Sequence, residues 1–151
     1  GTRVEFISED TEFAVQNGSL SILKPDLHES GNNGGLCVLA SHEKYDILIT
    51  GDLNQHAEYR LLSRYDLQSV ELLVAGHHGA LTSTSEALLQ RTGASSVVIS
   101  VGRDNSYGHP AQETLARIES SGAAIYRTDE LGTIVIRGGT YGKETGGGYR
   151  R

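Results

Sequence analysis

The spacing of apolar residues changes at Asn54, and that change limits the folds open to this chain more than any other feature. Before it, residues 3–23 alternate apolar and polar at Val4, Phe6, Phe13, Val15, Leu20 and Ile22, with Asn17-Gly18 between the last two runs. A period of two sends alternate side chains to opposite faces of a pleated strand, and Asn-Gly supplies the positive φ of a tight hairpin. The reading is a strand and a hairpin, then an irregular Gly/Asn/Ser-rich loop over 28–35, then two buried-type strands at 36–40 and 46–50. After Asn54 the period becomes roughly 3.6, with Ala57, Leu61, Leu62 and Tyr65 on one side of a helix. Strands at 70–75, 96–101, 123–127 and 133–137 then alternate with helices at 83–91 and 110–121. Ser83 and Glu86 have capping-box spacing, Pro110 stands where a first helical residue belongs, and Ala111, Leu115 and Ile118 form an inner stripe. A meander feeding alternating strands and helices predicts an α/β fold.

Composition bounds what such a fold does. A chain of 151 residues suits one core, and no apolar run approaches the roughly 18 residues of a membrane span. The net charge of −6 argues against a general electrostatic nucleic-acid binder, unless Arg60, Arg64, Arg91, Arg103 and Arg127 converge in space. Cys37, alone inside an apolar run, excludes an internal disulfide and reads as a small hydrophobe. The chain starts at Gly1 and has no methionine, so it reads as a piece of a longer protein. Residues 1–137 form one domain in this reading, and 138–151, with six glycines, a disordered tail.

Three segments place polar residues just after expected strands, where α/β scaffolds present functional loops. They are Thr50-Gly51-Asp52, Gly76-His77-His78-Gly79 and the stretch from Ser100 to Pro110. A carboxylate at one strand end and an imidazole at another suit a divalent metal. The plainer readings stay open: Asp52 with Gln55 is a helix N-cap, His109 a cap residue, and the two adjacent histidines structural. A doubled histidine in a glycine-rich loop fits the structural reading least well.

In order along the chain come Gly51-Asp52, Ala75-Gly76-His77-His78-Gly79, Thr82-Ser83-Thr84-Ser85, Val101-Gly102, Asn105-x-Tyr107-Gly108-His109-Pro110 and Thr128-Asp129-x-x-Gly132. This series resembles the C-terminal metallo-β-lactamase-like domain of the ComEC family of bacterial DNA-uptake proteins, over residues 32–136. The resemblance implies an αββα sandwich of which this chain is the C-terminal half, a mixed sheet with helices on one face. It implies that Asp52 and His78, with His77 as the fallback, bind metal, and that Asn105 and His109 line the substrate side as catalytic residues. Tyr107 and Ser83 become substrate-side contacts, Tyr107 by stacking on a base or donating its hydroxyl, unless it fills the core. His109, at a helix N-terminus, would have free backbone N–H groups beside it for a phosphate oxygen.

The family's first ligand cluster, a His-x-His-x-Asp-His type motif, is missing, and Asn32-Asn33-Gly34-Gly35 stands where the family usually has Asn-Asn-x-Ser. The expected cofactor is therefore a divalent metal, zinc or manganese, in the complete domain, with this chain alone holding little or none. The implied activity is metal-dependent phosphodiester hydrolysis that degrades the DNA strand not taken up, with little turnover from these residues alone. Two alternatives stay open: a small-molecule phosphodiesterase of the same fold, and a non-catalytic module binding DNA or a partner. The implied partners are DNA and a membrane channel in the same polypeptide, with the domain outside the cytoplasm. The half-sandwich's bare sheet face predicts a dimer or an exchanged-element assembly of this chain.

Overall fold

The computed structural model describes residues 2, 4, 7–25 and 31–137. Seven strands form one sheet in chain order: β1 (Thr11–Val15), β2 (Gly18–Leu23), β3 (Cys37–His42), β4 (Tyr45–Ile49), β5 (Leu72–Val74), β6 (Ser96–Ile99) and β7 (Ala124–Arg127). β1 to β4 pair antiparallel, and β4 to β7 pair parallel. The switch coincides with the change of period, because parallel neighbours need a crossover long enough to carry a helix. Those crossovers hold α1 (Gln55–Arg64), α2 (Glu86–Thr92) and α3 (Gln112–Ser120), and a single turn, α4 (Thr128–Leu131), follows β7. The fold is α/β with a mixed sheet.

Register decides the two faces. Leu48, Leu73 and Val97 lie side by side in β4, β5 and β6 and are fully buried in one cluster with Leu61, Leu88 and Ile118 from the three helices. Each such side chain contributes about 1.5–3 kcal/mol of burial free energy. α1 touches α2 and α2 touches α3, so the helices form one layer over this face. The alternate positions carry apolar rows on the other face: Ile22, Val38, Ile49, Val74, Val98 and Tyr126 are in register, and so are Phe13, Leu20, Ala40 and Ile47. There Phe13, Leu20 and Ile49 remain 46%, 37% and 38% exposed. A sheet covered on one side and apolar on the other is compatible with one half of an αββα sandwich.

Several boundaries differ from the sequence reading, each for a local reason. Regular pairing starts only at Thr11, and positions 3, 5 and 6 lie outside the described residues, as do 26–30 and the expected tail at 138–151. Gly31–Gly34 is a short 3-10 turn. α2 is capped by Ser85, whose hydroxyl accepts the Leu88 N–H, and not by Ser83, whose own hydroxyl is buried against Leu53. α3 begins at Gln112 because Ala111 is extended and gives its N–H to the Gly79 carbonyl, which leaves Pro110 outside the helix. The expected strand at 133–137 does not form: α4 intervenes, Gly132 turns the chain at φ 71, and only Arg137 makes a bridge contact. Among the described residues no helix is long and apolar enough to cross a membrane.

Candidate functional site

Parallel strands end at one edge of a sheet, so the loops after β4, β5, β6 and β7 share that edge. The loop after β5 is the most constrained. Its turn Gly76–Gly79 holds His77 (φ 49, ψ 45) and His78 (φ 57, ψ 24) in the left-handed region, followed by Gly79 at φ 80. Left-handed backbone costs a non-glycine residue roughly 1–3 kcal/mol and persists only where the surroundings impose it.

The surroundings here are three neighbouring segments. The His77 N–H donates to the Gly51 carbonyl at 2.9 Å, and the Ala111 N–H donates to the Gly79 carbonyl at 2.9 Å. The Gly76 N–H donates to the Thr84 hydroxyl at 3.0 Å. Gly79 is pressed so closely on Pro110 that a Cβ there would stand 2.7 Å from the proline Cβ. The Gly51-Asp52 loop, the histidine turn and the His109-Pro110 bend are thus held against one another.

Asp52 is exposed, and its carboxylate takes no hydrogen bond among the described residues. The helix cap expected of it comes instead from Asn54, whose side chain accepts the Ala57 N–H at 3.0 Å. His78 is also exposed, and its Nδ1 lies 2.6 Å from the Ser100 carbonyl. A carbonyl only accepts, so Nδ1–H donates, and the Nε2 of the neutral ring keeps its lone pair for a ligand.

The rings of His77, His78, His109 and Tyr107 make a continuous series. His77 lies 6.3 Å from His78 and 5.7 Å from His109, and His109 lies 6.0 Å from Tyr107 at an interplanar angle of 17°. Tyr107 is 82% exposed, which removes the alternative that it fills the core. His109 precedes the helix cap by two residues, and the Ala111 N–H is already committed to Gly79, so the expected seat at a helix N-terminus is displaced.

Two other expected site residues face inward. The Asn105 amide nitrogen donates to the Gly102 and His109 carbonyls at 3.1 and 2.7 Å, while its oxygen accepts the His109 N–H at 3.0 Å. Its side chain therefore shapes the loop beneath His109. Ser83 has no exposed surface and donates its hydroxyl to the Leu53 carbonyl at 2.7 Å, which corrects its placement on the substrate side. Of the arginines, Arg103 donates to the Asp129 carbonyl and Arg127 pairs with Asp129 at 2.6 Å and with Glu130 at 2.8 Å. Arg64 pairs instead with Asp10 at 3.3 Å, near the chain's first strand. Burial and the nearby Glu58 push the Cys37 thiol up to about 12, in keeping with a packed hydrophobe.

Glu58 and Arg117 carry no motif in the sequence, and Thr84 stands out there only as part of Thr82-Ser83-Thr84-Ser85. Glu58 is fully buried on α1, and its carboxylate accepts the N–H groups of Thr84 at 2.5 Å and Ser85 at 2.8 Å. Burial pushes that carboxyl above its ordinary range, against the hydrogen bonds and Arg117, which pull it down. Arg117 donates to the carbonyls of Leu81, Ser83 and Thr84. The available signal was a glutamate between Ala57 and Leu61, on the helix's inner stripe.

The donor types at this edge, a free carboxylate and a lone-pair imidazole, suit zinc or manganese. The number does not: among the described residues no three His, Cys, Asp or Glu side chains group as metal ligands.

No protein-family model matches the chain. It is 27% identical over 139 residues to "ComE operon protein 3" of Bacillus subtilis, covering 91% of this chain and 18% of that protein. It is 36% identical over 106 residues to "Competence protein ComA" of Neisseria gonorrhoeae, covering 68% of this chain and 15% of that one. It is 28% identical over 133 residues to "Recombination protein 2" of Haemophilus influenzae, covering 87% and 17% respectively. The chain thus spans less than a fifth of the length of these curated relatives. With identities of 27–36% over most of its length, the chain belongs to the ComEC family of competence proteins.

Proposed function

We propose that this chain is part of a metal-dependent phosphodiesterase that cleaves DNA during its uptake, in a longer polypeptide that supplies the remaining ligands. Asp52 and the Nε2 of His78 bind zinc or manganese jointly with donors from outside these 151 residues, and His77 is the second choice for the imidazole. His109 meets the phosphate or protonates the leaving oxygen, and Asn105 holds the His109 backbone in place for it. Tyr107, exposed beside His109, stacks on a nucleobase. The complete protein joins this domain to a membrane channel, with the domain on the extracytoplasmic side.

The observation that carries this reading is the His78 turn: a strained pair of histidines, one of them with Nδ1–H tied to the Ser100 carbonyl, against the loop that bears an uncommitted Asp52. The names of two relatives, a competence protein and a recombination protein, support DNA as the substrate class.

The test is DNA cleavage by the complete protein with and without a chelator. Cleavage should require added metal, and Asp52→Ala and His78→Ala should each lower it by at least about 100-fold. The 151-residue chain alone should show little or no turnover. Full cleavage by either variant, or by this chain unaided, would overturn the proposal. Too few donors for a closed site among the described residues favours one second reading, a module that binds DNA without cutting it. Retained DNA binding with no metal-dependent cleavage would identify that case.

A further inference from the structure

Behind the histidine turn lies a buried polar network that the proposed chemistry does not use. The segment 80–85 connects that turn to α2, and other elements hold it through its backbone. Thr114 donates its hydroxyl to the Ala80 carbonyl at 2.9 Å, and Arg117 donates to the carbonyls of Leu81, Ser83 and Thr84 at 3.0, 2.9 and 3.2 Å. From the opposite side the Glu58 carboxylate accepts the N–H groups of Thr84 and Ser85. Between these two groups Thr84 is fully buried and sits at φ 54, a conformation a β-branched residue adopts only when held there. That conformation lets the Thr84 hydroxyl accept the Gly76 N–H at 3.0 Å, at the first residue of the turn that carries His77 and His78.

We infer that Glu58 is a positioning residue: with Arg117 it imposes the left-handed backbone of Thr84, whose hydroxyl fixes Gly76 and thereby aims the His77–His78 pair. This rests on reading those histidines as functional side chains. The physical reason is rigidity. A turn with three successive left-handed residues has no helix or ladder of its own, so the aim of its rings depends on what grips its ends. Gly51 and Ala111 hold the middle and the end of the turn, and Thr84 holds the beginning.

The test uses the side-chain nitrogens of the histidines, read by long-range proton–nitrogen spectra of the 15N-labelled chain without metal. In the wild type His78 should show the Nδ1–H tautomer. Thr84→Val keeps the shape and removes the acceptor for Gly76, and should shift His78 to a mixed or Nε2–H signal, while Thr84→Ser, which keeps the oxygen, should retain Nδ1–H. Glu58→Gln should shift His78 in the same direction as Thr84→Val. The exposed His42 and His56, outside the turn, should be unchanged in every variant. A folded Thr84→Val chain that keeps the His78 Nδ1–H signal would overturn the inference, and so would loss of that signal in Thr84→Ser. If Thr84→Val fails to fold, exchange of the Gly76 amide decides: protection in both wild type and Thr84→Ser supports the link, and exchange at an unfolded rate overturns it. A tautomer shift alongside metal-independent behaviour of the complete protein would keep the positioning role and remove the proposed chemistry; the opposite pair of results would do the reverse.

Discussion

Glu58 occupies a position on α1 that an amphipathic helix normally gives to an apolar side chain, and two backbone N–H groups explain its presence. Removing the carboxylate leaves both donors buried with no acceptor, so Glu58→Ala should destabilise the chain by roughly 2–4 kcal/mol, with the urea midpoint lowered and the slope unchanged. Asp129 provides a pH dependence with a definite sign. Its hydrogen bonds with Arg127 hold its carboxyl below the ordinary value of 3.8. Since the folded value lies lower than the unfolded one, the pair stabilises the fold above about pH 4, and the gain is lost as pH falls through the folded value. Thermal melts between pH 6 and pH 2 should show that loss in the wild type and a weaker one in Asp129→Asn. The Glu58 effect was hidden in the sequence, because its partners lie 26 and 27 residues along the chain on another segment.

At the level of elements, the histidine turn is the feature with the least tolerance. Gly79 combines φ 80 with a contact on Pro110 that leaves no room for a methyl group. Gly79→Ala should therefore cost about 1–3 kcal/mol by strain alone and release the His109-Pro110 bend from the turn. Denaturant unfolding checks the first effect, and loss of chemical-shift coupling between His77 and His109 checks the second. α1 offers a smaller effect: Asn54→Ala removes its cap and should cost about 1 kcal/mol in the same unfolding measurement. Helix and strand order was legible here, since periodicity is local. The ends were not: Ser83 and Pro110 carry good starting signals, yet the Leu53 and Gly79 carbonyls, distant in sequence, draw the groups that would have served them.

For the molecule as a whole, the two faces of the sheet differ sharply. One is sealed by three helices, whereas the other leaves Phe13, Leu20 and Ile49 partly exposed in register with further apolar side chains. We expect this chain to associate through that face, as a dimer or by exchange of an element, because apolar area of this kind favours burial. Light scattering after size exclusion should find a species larger than a monomer that Phe13→Lys with Ile49→Lys shifts toward monomer. A wild-type monomer at all concentrations would oppose the expectation.

From residue order alone came the mixed α/β plan, the change from meander to crossover at Asn54, and the strand-end positions of Asp52, His77, His78 and His109. Those follow from period and turn chemistry, which act between near neighbours in the chain. Which polar side chains face solvent and which serve as internal clamps was decided only by tertiary structure. Asp52 and Ser83 are both small polar residues in strand-end loops, but one stays uncommitted while the other is sealed against Leu53. The difference lies in the competition for hydrogen bonds among segments some thirty residues apart, and that competition exists only once the sheet has brought them together.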